Sequence, residues 1–145
     1  MALVAAGIAQ WPPGAVGVIG SSLGGFYASW VAQQVRARSV LLNPAVHPAR
    51  DLERYIGEQT SWHDPADRFF FQREYIGELE ALDTRALPPA APELAIIAKG
   101  DEVLDWREMA ARYPQAQVLL QEGGEHALSN FADYLPAITE FLELA

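Results

Sequence analysis

Two serines set among glycines, a histidine behind a glycine pair and an aspartate beyond an apolar run are the residues here whose types and spacing suit chemistry. Gly20-Ser21-Ser22-Leu23-Gly24 has the form Gly-x-Ser-x-Gly, with Ser22 at its centre. That pattern carries chemical meaning only where a strand ends and a helix begins. Both flanks are present. The run 16–19, VGVI, reads as a short strand, and from Leu23 onward Phe26, Tyr27, Trp30 and Val31 recur at the spacing of an amphipathic helix. On so tight a turn, side chains two positions either side of the serine would clash, hence the glycines. The Ser22 hydroxyl then stands clear of its own backbone, and the Leu23 amide faces the place where an oxyanion would form. A rival use of the turn is a phosphate cradle, with free amides at a helix start. No Gly-Lys-Ser/Thr follows and no Gly-x-Gly-x-x-Gly occurs at the turn, which counts against it.

A serine hydroxyl is a weak nucleophile until a base takes its proton. Of the three histidines, His126 follows Gly123-Gly124-Glu125, just beyond the strand candidate AQVLLQEGG (116–124). Sites of parallel sheets lie at the carboxyl ends of the strands, which favours His126 as the base. His47, between Val46 and Pro48, and His63, beside Asp64, read as surface or loop polar residues. The base needs a carboxylate to orient it. Asp101 leaves the strand candidate ELAIIAKGD (93–101) at its carboxyl tip, level with Ser22 and His126. Glu102 is adjacent and is expected to point elsewhere. Asp105 has a sufficient structural role as the cap of a helix running to about Arg112, in the capping box Asp105-Trp106-Arg107-Glu108.

The elements that must position these groups follow from the pattern of the chain. SVLLNPAV (39–46) reads as a buried strand stopped by Pro44. With 16–19, 93–101 and 116–124 it makes about four strands alternating with helices, the signature of an α/β fold with a mostly parallel sheet flanked by helices. The opening residues read as the tail of a helix and a turn. At the other end, Phe131, Tyr134, Leu135, Ile138, Phe141 and Leu142 share one helical face, with Asn130 as a candidate cap and Pro136 as a candidate kink. Residues 48–92 stand apart as a long connection rich in aromatics and charges. Such a segment serves either as a lid or as an ordinary crossover with extra helices. As a lid, its Trp62, Phe69, Phe70 and Phe71, with Tyr75, would cover and bind the substrate.

At 145 residues the chain is long enough for one domain, 1–145, with its own core. Its composition, 50% hydrophobic and 20% charged, is that of a globular protein. The net charge of −9, with no basic run, excludes a nucleic-acid-binding surface. The absence of cysteine excludes disulfides, thiolate metal sites and a cysteine nucleophile. Neither a metal nor another cofactor is expected. No apolar run approaches the ~20 residues of a membrane span, and no basic region opens a secretory signal. A cytoplasmic protein without membrane or nucleic-acid partners is expected.

GSSLGGFYASW, LLNPAV, GDEVLD and GGEHALSNFADYLPAITEFL together resemble the small bacterial YqiA-type esterases, a family of α/β-hydrolase fold. The likeness runs from about Val16 to the C-terminus, and the order Ser22, Asp101, His126 is the chain order of that superfamily. The resemblance implies hydrolysis of small-molecule carboxylic esters, or thioesters, by these three residues as a triad, without a cofactor. His47 stands where the family would carry an arginine. The family also opens with a strand ending in His-Gly-Phe, whose loop donates a second oxyanion amide. This chain is expected to begin after it, as an N-terminally shortened domain. VGVI is then left as an open apolar edge that a second copy would cover in a homodimer. The leading expectation is an active esterase; the alternative is a shortened form whose catalysis is weak or lost, serving as a binding or assembly module.

Overall fold

The computed structural model describes residues 2–12, 14–61, 64 and 66–144. These fall into two compact units, one made of 1–46 and 84–145 and the other of 47–83.

The larger unit is built on a sheet of strands β1 (Gly17–Ser21), β2 (Arg38–Leu42), β5 (Glu93–Ala98) and β6 (Gln117–Gln121), side by side in that order and all parallel. A strand buried on both faces should read as a continuous apolar run rather than an alternating one. SVLL and LAIIA do so, and Val40, Leu41, Leu94, Ala95, Ile96, Ile97 and Ala98 are wholly buried. Alternate residues feed two cores. Leu41, Ala95 and Ile97 pack with Ala28 of helix α2 (Leu23–Val35) and Met109 of α5 (Trp106–Arg112). Val40, Leu42, Leu94, Ile96 and Ala98 pack with Ile138 of α6 (Leu135–Phe141) and with Leu128. Among the described residues β1 and β6 are the edges of this sheet; Ile19 of β1 is 48% exposed. Helix α1 (Ala2–Ile8) precedes the first strand, as the opening residues led one to expect.

Register decides where the chemistry collects. Ser21 pairs with Leu42, Leu42 with Ile96, and Ala98 with Gln121. Strands β5 and β6 thus run two residues beyond the ends of β1 and β2, and the residues after the four strands (Ser22, Asn43, Asp101 and His126) emerge along one edge. Strand β2 ends at Leu42, and Asn43, with a φ of 38°, turns the chain out of the sheet ahead of Pro44.

Two local expectations are corrected. Asn130 makes no capping bond to a helix; residues 131–134 form a turn of 3-10 helix, and α6 begins at Leu135. Pro136 thus lies in the first turn of α6, where its missing N–H has no acceptor to lose, and it needs no kink. Asp105 does cap α5, its Oδ1 accepting the Arg107 N–H at 2.9 Å.

The smaller unit holds α3 (Pro48–Leu52), a two-stranded antiparallel hairpin of β3 (Gly57–Thr60) and β4 (Arg68–Phe71), and α4 (Arg73–Ala81). The long connection is therefore more than helices. Alternation along β4 puts Phe69 and Phe71 on one face of the hairpin and Phe70 on the other, so the three rings do not form one surface. The Phe71 ring meets Tyr75 edge-on with centroids 5.4 Å apart, while Phe69 and Phe70 are exposed.

Candidate active site

Ser22 occupies the turn between β1 and α2 with φ 54° and ψ −125°. This is a sparsely populated conformation for a residue with a side chain, and such strain persists only where the surroundings enforce it. Here they do so through the backbone. The Ser22 N–H donates to the Leu42 carbonyl at 2.9 Å, and the Ser22 carbonyl accepts the N–H groups of Gly25 and Ala45, both at 2.9 Å. The hydroxyl is left projecting beyond the strand ends.

Of the two glycines in the motif, one is sterically required. A Cβ on Gly20 would lie 2.1 Å from the Gly24 carbonyl oxygen and 2.8 Å from the Ala28 methyl. A Cβ on Gly24 would have no atom within 4 Å, which corrects the expectation of a clash on both sides. The second crowded glycine is Gly25, where a Cβ would come within 2.7 Å of the Pro44 ring. Tight packing of α2 against the strand ends constrains Gly20 and Gly25; nothing packs over Gly24.

The partners of Ser22 arrive from two other strand ends. Asp101 has a fully buried side chain. Its Oδ1 accepts the N–H groups of Val103 and Leu104, both at 2.8 Å, which fixes the carboxylate plane. Its Oδ2 then lies 2.8 Å from Nδ1 of His126. On the far side of the ring, Nε2 of His126 lies 2.9 Å from Oγ of Ser22. With the ring proton on Nδ1, that N–H donates to Asp101 and Nε2 is free to accept from the serine hydroxyl. Glycines allow the two loops to approach. The Gly100 N–H donates to the Gly123 carbonyl at 2.8 Å, and a Cβ on Gly100 would meet the Gly124 oxygen at 2.3 Å. Gly123 and Gly124 take φ of 71° and 79°, which favour glycine.

Two residues of the site escaped the sequence reading. Asn43, wholly buried, donates from Nδ2 to the carbonyls of Glu125 and His126, both at 3.0 Å, and accepts the Ala98 N–H at Oδ1 at 2.8 Å. Its signal was present: a polar residue closing an apolar strand must find buried partners. Glu102, expected to point elsewhere, accepts the His126 backbone N–H at Oε2 at 2.9 Å. The loop held by Asp101 Oδ1 curls so that its neighbour's carboxylate reaches the base loop. That hydrogen bond holds the Glu102 carboxyl below its ordinary pKa.

Leu23 opens α2, so its N–H has no acceptor within the helix. His47 stands at the N-terminal boundary of α3 in the smaller unit. Trp62 and His63 lie outside the described residues. Among the described residues no group of three or more His, Asp or Glu side chains is placed to hold a metal ion, and no helix is long and apolar enough to cross a membrane.

The fold is that of the α/β-hydrolases. It is shared with a protein of Agrobacterium vitis S4 at 20% identity and a TM-score of 0.73, covering 97% of this chain and 66% of that one. Est1E of Butyrivibrio proteoclasticus, solved with ferulic acid, matches at 16% identity and 0.69, covering 98% and 65%. The esterase domain of a Rhodothermus marinus protein matches at 22% and 0.62, covering 99% and 65%. The chain thus spans about two thirds of the length of each. A family model described as "Uncharacterised protein family (UPF0227)", the YqiA-type family, matches residues 1–143, and the chain belongs to that family.

Proposed function

We propose that this protein is a serine hydrolase acting on carboxylic esters or thioesters of small molecules. The observation that carries the reading is the unbroken chain from Ser22 Oγ through the His126 ring to Asp101 Oδ2, at 2.9 and 2.8 Å. Esterases among proteins of the same fold support it.

In this reading His126 Nε2 takes the hydroxyl proton as Ser22 Oγ attacks the ester carbonyl. Asp101 holds the ring with its proton on Nδ1 and stabilises the imidazolium that forms. The carbonyl oxygen becomes an oxyanion, which the Leu23 N–H stabilises. Collapse of the tetrahedral species breaks the bond to the alcohol or thiol. His126 returns its proton to that leaving group, and the acyl group remains on Ser22. A water molecule then attacks the acyl carbonyl, giving its proton to His126. The acid departs, and the proton passes back to Ser22. The proton balance closes over the two halves, so the cycle needs no cofactor.

Hydrolysis of p-nitrophenyl acetate and butyrate tests the proposal. Wild type is expected to release nitrophenol catalytically and Ser22→Ala to fall to the uncatalysed rate. Asp101→Asn should stay folded and lose ~10⁴ in kcat, because the ring is then held with its proton on the wrong nitrogen. Equal turnover by wild type and Ser22→Ala would refute the reading. A weakly catalytic or inactive binding module of the same fold is the second reading. Folded wild-type protein without turnover would favour it.

A further inference from the structure

We propose that Asn43 and Glu102 are positioning residues that clamp the backbone of the base, holding the two peptide planes either side of His126. The inference rests on the esterase reading for its kinetic consequences, while its geometric content stands apart from it.

The need for a clamp follows from the loop. His126 lies beyond the end of β6, after Gly123 and Gly124, two residues with wide backbone freedom. Within the segment the Leu128 N–H donates to the Glu125 carbonyl at 3.2 Å, a long bond that holds one of the two planes and leaves the other to partners outside the segment. A misplacement of roughly 1 Å costs on the order of a hundredfold in rate.

The clamp acts on both sides of the His126 Cα. In the preceding peptide, the Glu125 carbonyl accepts from Asn43 Nδ2 at 3.0 Å and the His126 N–H donates to Glu102 Oε2 at 2.9 Å. In the following peptide, the His126 carbonyl accepts from the same Asn43 nitrogen at 3.0 Å. Fixing both planes fixes φ and ψ of His126, and with them the direction of its Cα–Cβ bond. Asn43 is itself locked by the bonds of its Oδ1 to the Ala98 N–H and of its own N–H to the Ile96 carbonyl at 2.9 Å. The position of the base is thus referred to the buried ends of β2 and β5. Glu102 leaves the loop that carries Asp101, so the groups on the two ring nitrogens and the backbone of the ring share one frame.

Glu102 is exposed and its replacement should not disturb folding, which makes it the better probe. Two readouts are needed: steady-state hydrolysis of p-nitrophenyl butyrate, and the far-downfield proton NMR signal of the His126 Nδ1–H bonded to Asp101. Glu102→Ala is expected to lower kcat about 3- to 30-fold at nearly unchanged KM while the protein stays folded, consistent with loss of one hydrogen bond to a charged acceptor. The downfield signal should broaden or shift. Glu102→Gln, whose amide oxygen accepts the same N–H, should recover most of the rate and the signal. Asn43→Asp, which keeps the shape but removes the donor, should lose more than Glu102→Ala in both readouts. The clamp is overturned by wild-type kinetics and an unmoved signal in Glu102→Ala, or by a Glu102→Gln protein as impaired as the alanine variant. Wild-type protein without turnover, but with a downfield signal that responds to Glu102→Ala and returns in Glu102→Gln, would sink the esterase reading and uphold the clamp.

Discussion

Replacing the two glycines of the serine motif one at a time separates its spelling from its sterics. A methyl on Gly20 would sit 2.1 Å from a backbone oxygen and 2.5 Å from the carbonyl carbon of Gly24. Non-bonded heavy atoms rest roughly 3.5 Å apart, so relief requires the turn itself to open by more than ~1 Å. Both obstructing atoms are main chain, and no rotamer change removes them. Moving α2 away would in turn strain the Ser22 bonds to Leu42 and Ala45. The expected cost of Gly20→Ala is about 3 kcal/mol or more, the upper range for overpacking. Gly24→Ala places its methyl in open space inside a helix. It should be neutral or stabilising by up to about 1 kcal/mol, through helix propensity and reduced freedom of the unfolded chain. Urea denaturation followed by circular dichroism reads the difference, which for Gly20→Ala corresponds to a midpoint lower by roughly 1–2 M. A Gly24→Ala protein destabilised as far as Gly20→Ala, or a Gly20→Ala protein with the wild-type midpoint, would refute the steric account.

Three further outcomes are expected. Burial raises the pKa of Glu93, at the start of β5, against a smaller lowering by Arg112. The folded chain thus binds its proton more tightly than the unfolded chain, and stability falls as pH rises through that raised pKa. Glu93→Gln should therefore raise the thermal midpoint at pH 7 and lose this advantage near pH 4, and a midpoint change independent of pH would contradict it. We propose that the open β1 edge, within a stretch that carries no charge before Arg36, pairs with a second copy. Sedimentation velocity should show a dimer that Ile19→Lys converts to monomer; a monomeric wild type at all concentrations would count against it. For the aromatic hairpin a role in binding acyl chains is proposed, so Phe69→Ala should raise KM for p-nitrophenyl octanoate more than for the acetate, and an equal effect on both would argue for a purely structural ring.

What could be read from the sequence was what rests on local pattern. The serine turn, the apolar strands, the Asp105 cap and the order Ser22, Asp101, His126 each carry a signal within a few residues, and parallel strands whose carboxyl ends share one edge of the sheet bring the three together. What escaped depends on the course of a loop in space. Glu102 and His126 are 24 positions apart, and only the Asp101-centred turn brings the one under the amide of the other. Asn43 stands beside Pro44, which marks the strand end, and no local pattern tells that its buried amide joins that end to the loop of His126, 82 and 83 positions away along the chain at Glu125 and His126. The hairpin within 48–92 was hidden because RFFF has no polar alternation. The motif's glycines were half misjudged, since spacing cannot tell which Cβ would find room.

The most direct test of the central claim is the site and base-dependence of covalent labelling. After incubation with a fluorophosphonate, intact mass and peptide mapping should place one adduct on Ser22. The adduct should form far more slowly in His126→Ala and not at all in Ser22→Ala. Absence of an adduct in folded wild type, its presence on Ser21 or elsewhere, or a rate untouched by loss of the His126 ring would contradict the account.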